Sequence, residues 1–464
     1  MCEKWQLRKR ININKMKHLI TLSLITLSLA GCTPEFDMPE PSAGDANFSK
    51  MIAVGGNYLA GYQDGALYEK GQRLSIPALM AEQFKLVGGP TFGQALMPDN
   101  NGLGINSKLW ESWFVTPSHL GNKTNCQGVT SLSPIKNTIT TTAATPYLTG
   151  MAGNSVQNLA IPYATVADYM NPAMGYSSFT GNTNPYYARI ASDPGVSTIY
   201  EDARQQNATF ITAWLGMEDI YNYASRGGTG AGIPSSSSFS NYLDTILRGL
   251  TAKGAKGVIA NIPDFRDYPY YTLVAWDNAV LTRQSQVDSL MDIYTTSGLP
   301  QLVFQLGRNG FVINDPVSTG GVRQIHAGEY ITLSVPIDSM KCYKYGLFFE
   351  TINDRYVLDS SEVYEVDQAI SSYNALIAQK ASQYNLALVD MNSYMRSVVT
   401  GIKWNGVDMN TVFVSGGFLS LDGYHPNQKG YSLIANEFIK AINNKYNAFI
   451  PEVYCTECDG VKFP

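Results

Sequence analysis

A chain of 464 residues, 44% apolar and 15% charged with a formal net charge of −5, has the material for a large buried core and lacks the composition of a disordered protein. Lysine and arginine are not gathered into a patch, and the only basic run lies at the extreme N-terminus, so nucleic acid is excluded as a partner.

In chain order, Met16-Lys17-His18 precede an apolar run from Leu19 to Leu29, which ends in Leu29-Ala30-Gly31-Cys32. A basic start, a short apolar segment and small residues before a cysteine form a lipoprotein signal. Cleavage before Cys32 and diacylation of its sulfur are expected, with residues 1–31 absent from the mature protein. The apolar run is too short to span a bilayer. The lipid on Cys32 is therefore the expected membrane attachment, and the cell envelope, as an outer-membrane lipoprotein on the periplasmic or surface face, is the expected location. From Thr33 to about Asn47 the chain is rich in Pro, Glu, Asp, Ser and Gly, so residues 32–48 read as the lipidated cysteine and a solvated tether. Residues 49–464 show no linker and read as one folded body.

Met51-Ile52-Ala53-Val54 before Gly55-Gly56 reads as a buried strand that stops in a tight turn. Thr209 to Leu215 before Gly216, Gly257 to Ile262 before Pro263, and Leu386 to Val389 before Asp390 read the same way. Helical spacing is clearest at Val363, Val366, Ile370, Tyr373 and Ile377, and again at Tyr431, Ile434, Ala435, Phe438 and Ile442 after the Pro426-Asn427 start signal. Strands alternating with helices imply a mostly parallel sheet covered on both faces, with chemistry at the carboxyl ends of the strands. Gly227 to Ser238 reads as a surface loop, and its glycines do not match a phosphate-binding fingerprint. Residues 264–359, rich in proline and aromatics, form an insertion that is a candidate cap and whose fold the pattern does not give.

Cys126, Cys342, Cys455 and Cys458 fall outside the cytoplasm if the chain is exported, where disulfides persist, and their pairing is open. Cys455-Thr-Glu-Cys458 has redox or zinc spacing but no second ligand pair, so a disulfide is expected there rather than a metal. His119, His326 and His425 are far apart in sequence, and neither a metal nor a cofactor is expected.

Four blocks carry a resemblance: Gly55-Gly56-Asn57-Tyr58-Leu59-Ala60-Gly61-Tyr62-Gln63-Asp64-Gly65, Asn158-Leu159-Ala160-Ile161-Pro162-Tyr163-Ala164, Trp214-Leu215-Gly216-Met217-Glu218-Asp219, and Ser420-Leu421-Asp422-Gly423-Tyr424-His425-Pro426. They resemble the SGNH or GDSL hydrolases, in particular lipoprotein members found in Bacteroidota. The resemblance covers nearly the whole mature chain. It implies a three-layer α/β/α, flavodoxin-like fold and an esterase or acylhydrolase site without cofactor.

In active members the first block supplies a serine nucleophile, and the last supplies an Asp and a His three residues apart, which Asp422 and His425 match. A serine hydroxyl is a poor nucleophile until an imidazole takes its proton, and a carboxylate must fix that imidazole's tautomer. The resemblance places Asn57 at the serine position, and a carboxamide cannot become an alkoxide. It places Tyr163 where a glycine N–H lines the oxyanion hole, and Glu218 where an asparagine side chain donates. An ionised Glu218 would repel a developing oxyanion, and would favour the imidazolium form of His425. The expected protein is therefore a pseudoenzyme that binds a lipid, acyl or glycan-like ligand or supports an outer-membrane protein complex. The rival expectation is an active esterase in which His425 and Asp422 activate water, with Glu218 as a second acid or base.

Overall fold

The computed structural model describes residues 40–105, 114–150, 156–176, 183–348 and 350–464. Cys32 and the export signal lie outside them. Among the described residues the central sheet has five strands: β1 (Met51–Gly55), β2 (Asn158–Ala160), β3 (Phe210–Trp214), β4 (Lys256–Ala260) and β5 (Ala387–Val389). All neighbours pair in parallel, in the spatial order β2-β1-β3-β4-β5. That is the flavodoxin-like order, whose topological switch lies between β1 and β3. Every residue of β1 and β3 is buried, as a sheet covered on both faces requires, and for that reason these strands read as unbroken apolar runs.

The helices that cover the sheet are α1 (Asn57–Ala60), α2 (Ile76–Lys85), α3 (Ile199–Gln205), α4 (Met217–Ala224), α5 (Ser236–Thr251), α6 (Ser360–Gln383) and α7 (Gln428–Tyr446). One layer is built by α2 packed on α7, the other by α5 packed between α3 and α6. The α6 stripe buries Val366, Ile370, Tyr373 and Ile377. Helix α7 begins where its sequence signal places it, because the Asn427 side chain accepts the Gly430 N–H.

Two readings of the sequence change, and one strand goes unread. Residues 42–48, expected in the tether, are packed: Ser42 bridges Phe449, Asp45 N–H donates to Tyr446 O at 2.7 Å, and Phe48 is buried against Phe84 and Phe210. The serine run expected in a loop starts α5 instead, since Ser235 Oγ accepts the Ser238 N–H, and serine is as good a cap as it is a loop residue. β2 escapes pattern reading because three residues leave no periodicity to find.

Two long excursions from the α/β core reach the carboxyl end of the sheet. One, between α2 and β2, contains the hairpin His119–Thr124/Thr130–Ile135, which the sequence pattern did not indicate. The other is the insertion. It gathers its own apolar cluster, including Leu290, Val312, Ile313, Ile331 and Ile352, from short hairpins and the helices Gln284–Thr296 and Ile337–Tyr343. A disulfide between Cys126 and Cys342 ties the tip of the first excursion to the second. Cys455, expected to be cross-linked to Cys458, is a buried thiol whose pKa burial pushes up. A cross-link closing so long a loop restricts the unfolded chain strongly. Replacing Cys126 and Cys342 together by serine is expected to cost about 2–4 kcal/mol of stability. Calorimetry in the absence of reductant measures this, and an unchanged transition would show that the two excursions hold each other by packing alone.

Candidate functional site

The site forms at the switch point, where β1 and β3 deliver their loops side by side. β1 ends in Gly55-Gly56, and the next residue, Asn57, opens α1. β3 ends in Trp214, and Gly216, at φ +98°, turns the chain so that Glu218 and Asp219 fall in the first turn of α4. Glu218 lies directly against Gly56. A Cβ there would stand 1.8 Å from the Glu218 carboxyl carbon, so only glycine admits this approach.

Asn57, Tyr163 and Glu218 come together as the sequence reading expects, and they bond to one another. Asn57 N–H donates to Glu218 Oε1 at 2.6 Å, and Tyr163 N–H donates to Asn57 Oδ1 at 2.9 Å. Tyr163 holds φ +65°, a left-handed conformation that suits glycine and is costly for an aromatic residue, by roughly 1–2 kcal/mol. Its carbonyl accepts from Asn222 Nδ2 at 3.0 Å and its hydroxyl donates to Tyr62 Oη at 2.9 Å, which helps to hold that backbone in place.

Asp422 and His425 form the expected pair. His425 Nδ1 lies 2.8 Å from Asp422 Oδ2, and the same carboxylate accepts the N–H groups of Gly65, Tyr424 and His425. Burial works to raise the Asp422 pKa, but the adjacent His425 and the N–H donors outweigh it and hold the group at about 2. The imidazole is 1% exposed and is ringed by Tyr58, Tyr62, Tyr221 and Tyr424 at centroid distances of 5.0–5.9 Å. His425 Nε2 and Asn57 Nδ2 are both buried without a hydrogen-bond partner. The imidazole is thus oriented by its carboxylate and has no nucleophile on its other nitrogen.

Glu218 departs from the expected charge state. Burial raises its pKa to about 8, against the lowering effect of the Asn57 and Glu218 N–H groups, which shifts the side chain toward the neutral acid near pH 7. It neither repels an oxyanion by charge nor supplies a negative charge to His425, and its Oε1 is already engaged by Asn57. Asp219 and Asp64 are also raised, each to about 7 and mainly by burial.

A cavity of about 510 Å³ opens beside this centre, with Tyr62, Tyr163, Tyr221, Asp422 and His425 among its walls. Its far side comes from the two excursions, including Lys123 and Lys136 from the first and Leu333, Ile337 and Lys341 from the insertion. Tyr163 therefore lines the cavity and does not fill it. The tyrosine ring and the cationic lining were not singled out from sequence. The available signals were 29 tyrosines in the chain and Tyr62 and Tyr424 standing inside two of the blocks. Among the described residues no cluster of His, Cys, Asp and Glu is placed to hold a metal ion.

A family model described as GDSL-like lipase/acylhydrolase matches residues 133–438. Among solved structures, a crystal structure of a protein described as GDSL-like lipase from Parabacteroides merdae is similar at 10% identity and a TM-score of 0.34, covering 87% of this chain and 99% of that one. No curated protein matches.

The protonation of Glu218 has a measurable consequence. Between pH 4.5, its ordinary value, and about 8, the folded chain holds a proton that the unfolded chain has released, so stability falls as pH rises across that window. Asp219 and Asp64 act with the same sign from 3.8 to about 7. Glu218→Gln is expected to remove one proton's share of this slope in denaturant titrations between pH 5 and 8. An unchanged slope would mean that Glu218 is ionised in the folded chain.

Proposed function

Since the chain belongs to the GDSL-like lipase/acylhydrolase family, we propose that it is a lipid-anchored, cell-envelope member of Bacteroidota type whose acyl-transfer site has become a ligand-binding site. The observation that carries this reading is the closed set of hydrogen bonds among Asn57, Tyr163 and Glu218. In active relatives a backbone N–H at the second position and a side-chain donor at the third face the substrate oxygen. Here Tyr163 N–H is satisfied by the Asn57 carboxamide and Asn57 N–H by Glu218 Oε1, so both backbone donors are turned inward.

Each change is severe on its own. Loss of a serine nucleophile lowers turnover by about a million-fold, and loss of one oxyanion donor by about a hundred- to a thousand-fold. The cavity remains, within the 300–1,000 Å³ typical of small-molecule sites, and it favours a ligand-binding role over one that needs only an outer surface, such as bracing an outer-membrane complex. A lipid, acyl or glycan-like molecule suits its mixed aromatic and polar walls. The lipid anchor rests on the Leu29-Ala30-Gly31-Cys32 signal.

One observation favours the rival reading, that of an esterase: the Asp422–His425 pair is intact, with His425 Nε2 unengaged at the cavity wall. There the imidazole would act on a water molecule as general base. Hydrolysis of p-nitrophenyl acetate and butyrate decides between the two. The native protein and His425→Ala are expected to be equally inactive above background, and the combined change Asn57→Ser, Tyr163→Gly, Glu218→Asn is expected to gain turnover. Native turnover abolished by His425→Ala would establish the esterase.

A further inference from the structure

The cavity beside His425 carries an imbalance of charge that the preceding reading leaves unused. Four cations line it, Lys123, Lys136, Arg226 and Lys341, against two carboxylates, Asp338 and Asp422, in a chain whose net charge is −5. The cations come from separate parts of the fold: Lys123 and Lys136 from the first excursion, Arg226 from the end of α4, and Lys341 from the helix Ile337–Tyr343. They converge only because the two excursions meet over the sheet.

The carboxylates do not neutralise all of them. Asp338 is paired with Lys123 at 2.5 Å. Asp422 is committed to His425 and to three backbone N–H groups. Arg226, in the cavity wall, donates through Nε to the Asn222 carbonyl, and among the described residues neither Arg226 nor Lys341 has an ion-pair partner. An unpaired guanidinium at a cavity wall suits a carboxylate or sulfate oxygen, which it grips with two parallel N–H bonds.

The remaining lining specifies the body of the ligand. Tyr163, Tyr221 and Tyr270 offer half-buried rings with hydroxyl edges, Ser334 adds a further hydroxyl, and Ile105, Leu333, Ile337 and Phe413 stand beside them. Flat rings edged with hydrogen-bonding groups fit a pyranose, which has an apolar face and a hydroxylated rim. Of the ligand classes that suit these walls the sugar is favoured, because a long acyl chain would leave the hydroxyl edges without partners.

We infer that this cavity binds an acidic saccharide, a sugar bearing a uronate or a sulfate ester, with its ring on the tyrosines and its anionic group between Arg226 and Lys341. The inference rests on the reading of the site as a ligand-binding one and names the ligand class.

Calorimetric titration of the intact protein tests it, with digalacturonic acid and a sulfated chondroitin disaccharide as probes. Their neutral counterparts, the galacturonate methyl ester and the unsulfated, esterified disaccharide, and sodium dodecanoate as an acyl anion, complete the set. At least one acidic sugar is expected to bind about tenfold or more tightly than its neutral counterpart, with an affinity that falls as salt is raised. Arg226→Gln combined with Lys341→Gln is expected to erase that preference, and Lys253→Gln, a cation on a different surface, to leave it intact. Equal binding of acidic and neutral sugars, preference for dodecanoate, or binding of no probe would each overturn the inference. Ester turnover by the native protein would instead overturn the non-hydrolytic reading, so the two failures are told apart.

Discussion

The carboxamide of Asn57 accepts the backbone N–H of Tyr163 between the loops that follow β1 and β2, and much of the site is arranged around that bond. It requires Tyr163 to hold a left-handed backbone, which the Asn222 and Tyr62 contacts secure from either end. It leaves the N–H of Asn57 pointing at α4, where Glu218 receives it. Glu218 reaches that position only because residue 56 is glycine, and its burial there keeps it neutral. The result is a polar cluster whose two backbone donors are directed at its own acceptors and not at an incoming oxygen, with Asn57 Nδ2 left unpaired. An oxyanion site depends on donors held ready at no reorganisation cost, and this centre would have to break internal bonds to supply them.

The other half of the centre remains assembled. Asp422 is ionised, fixes one imidazole nitrogen and is itself fixed by three N–H groups, while four tyrosine rings close around the histidine. Such a pair gives a rigid wall to the adjacent cavity whether or not protons move. The disulfide-linked excursions provide the opposite wall, so the family scaffold positions the polar centre and the added segments shape what can lie against it.

Much of this was legible in the sequence. Four of the five strands announced themselves as apolar runs ending in glycine, proline or aspartate, because a parallel sheet buried on both faces leaves a continuous signal. The three-residue gap between Asp422 and His425 and the identities of Asn57, Tyr163 and Glu218 located the centre through block resemblance. What stayed hidden depended on tertiary context. Glu218 looked like an anion because ionisation follows burial, which one residue's name does not disclose. The cationic wall escaped notice because Lys123, Lys136, Arg226 and Lys341 are scattered over more than 200 positions and meet only through the folding of the excursions. The Cys126–Cys342 cross-link was one of several pairings that the sequence left open.

The central claim is that the two backbone donors at this centre are internally occupied. It is tested most directly by following the amide resonances of Asn57 and Tyr163 in isotopically labelled protein while phenylboronic acid, which presents tetrahedral oxyanions at alkaline pH, is added. The account expects both amides to be protected from solvent exchange and to show no saturable shift. Saturable downfield movement of both would show that the donors are available to an oxyanion, and would contradict it.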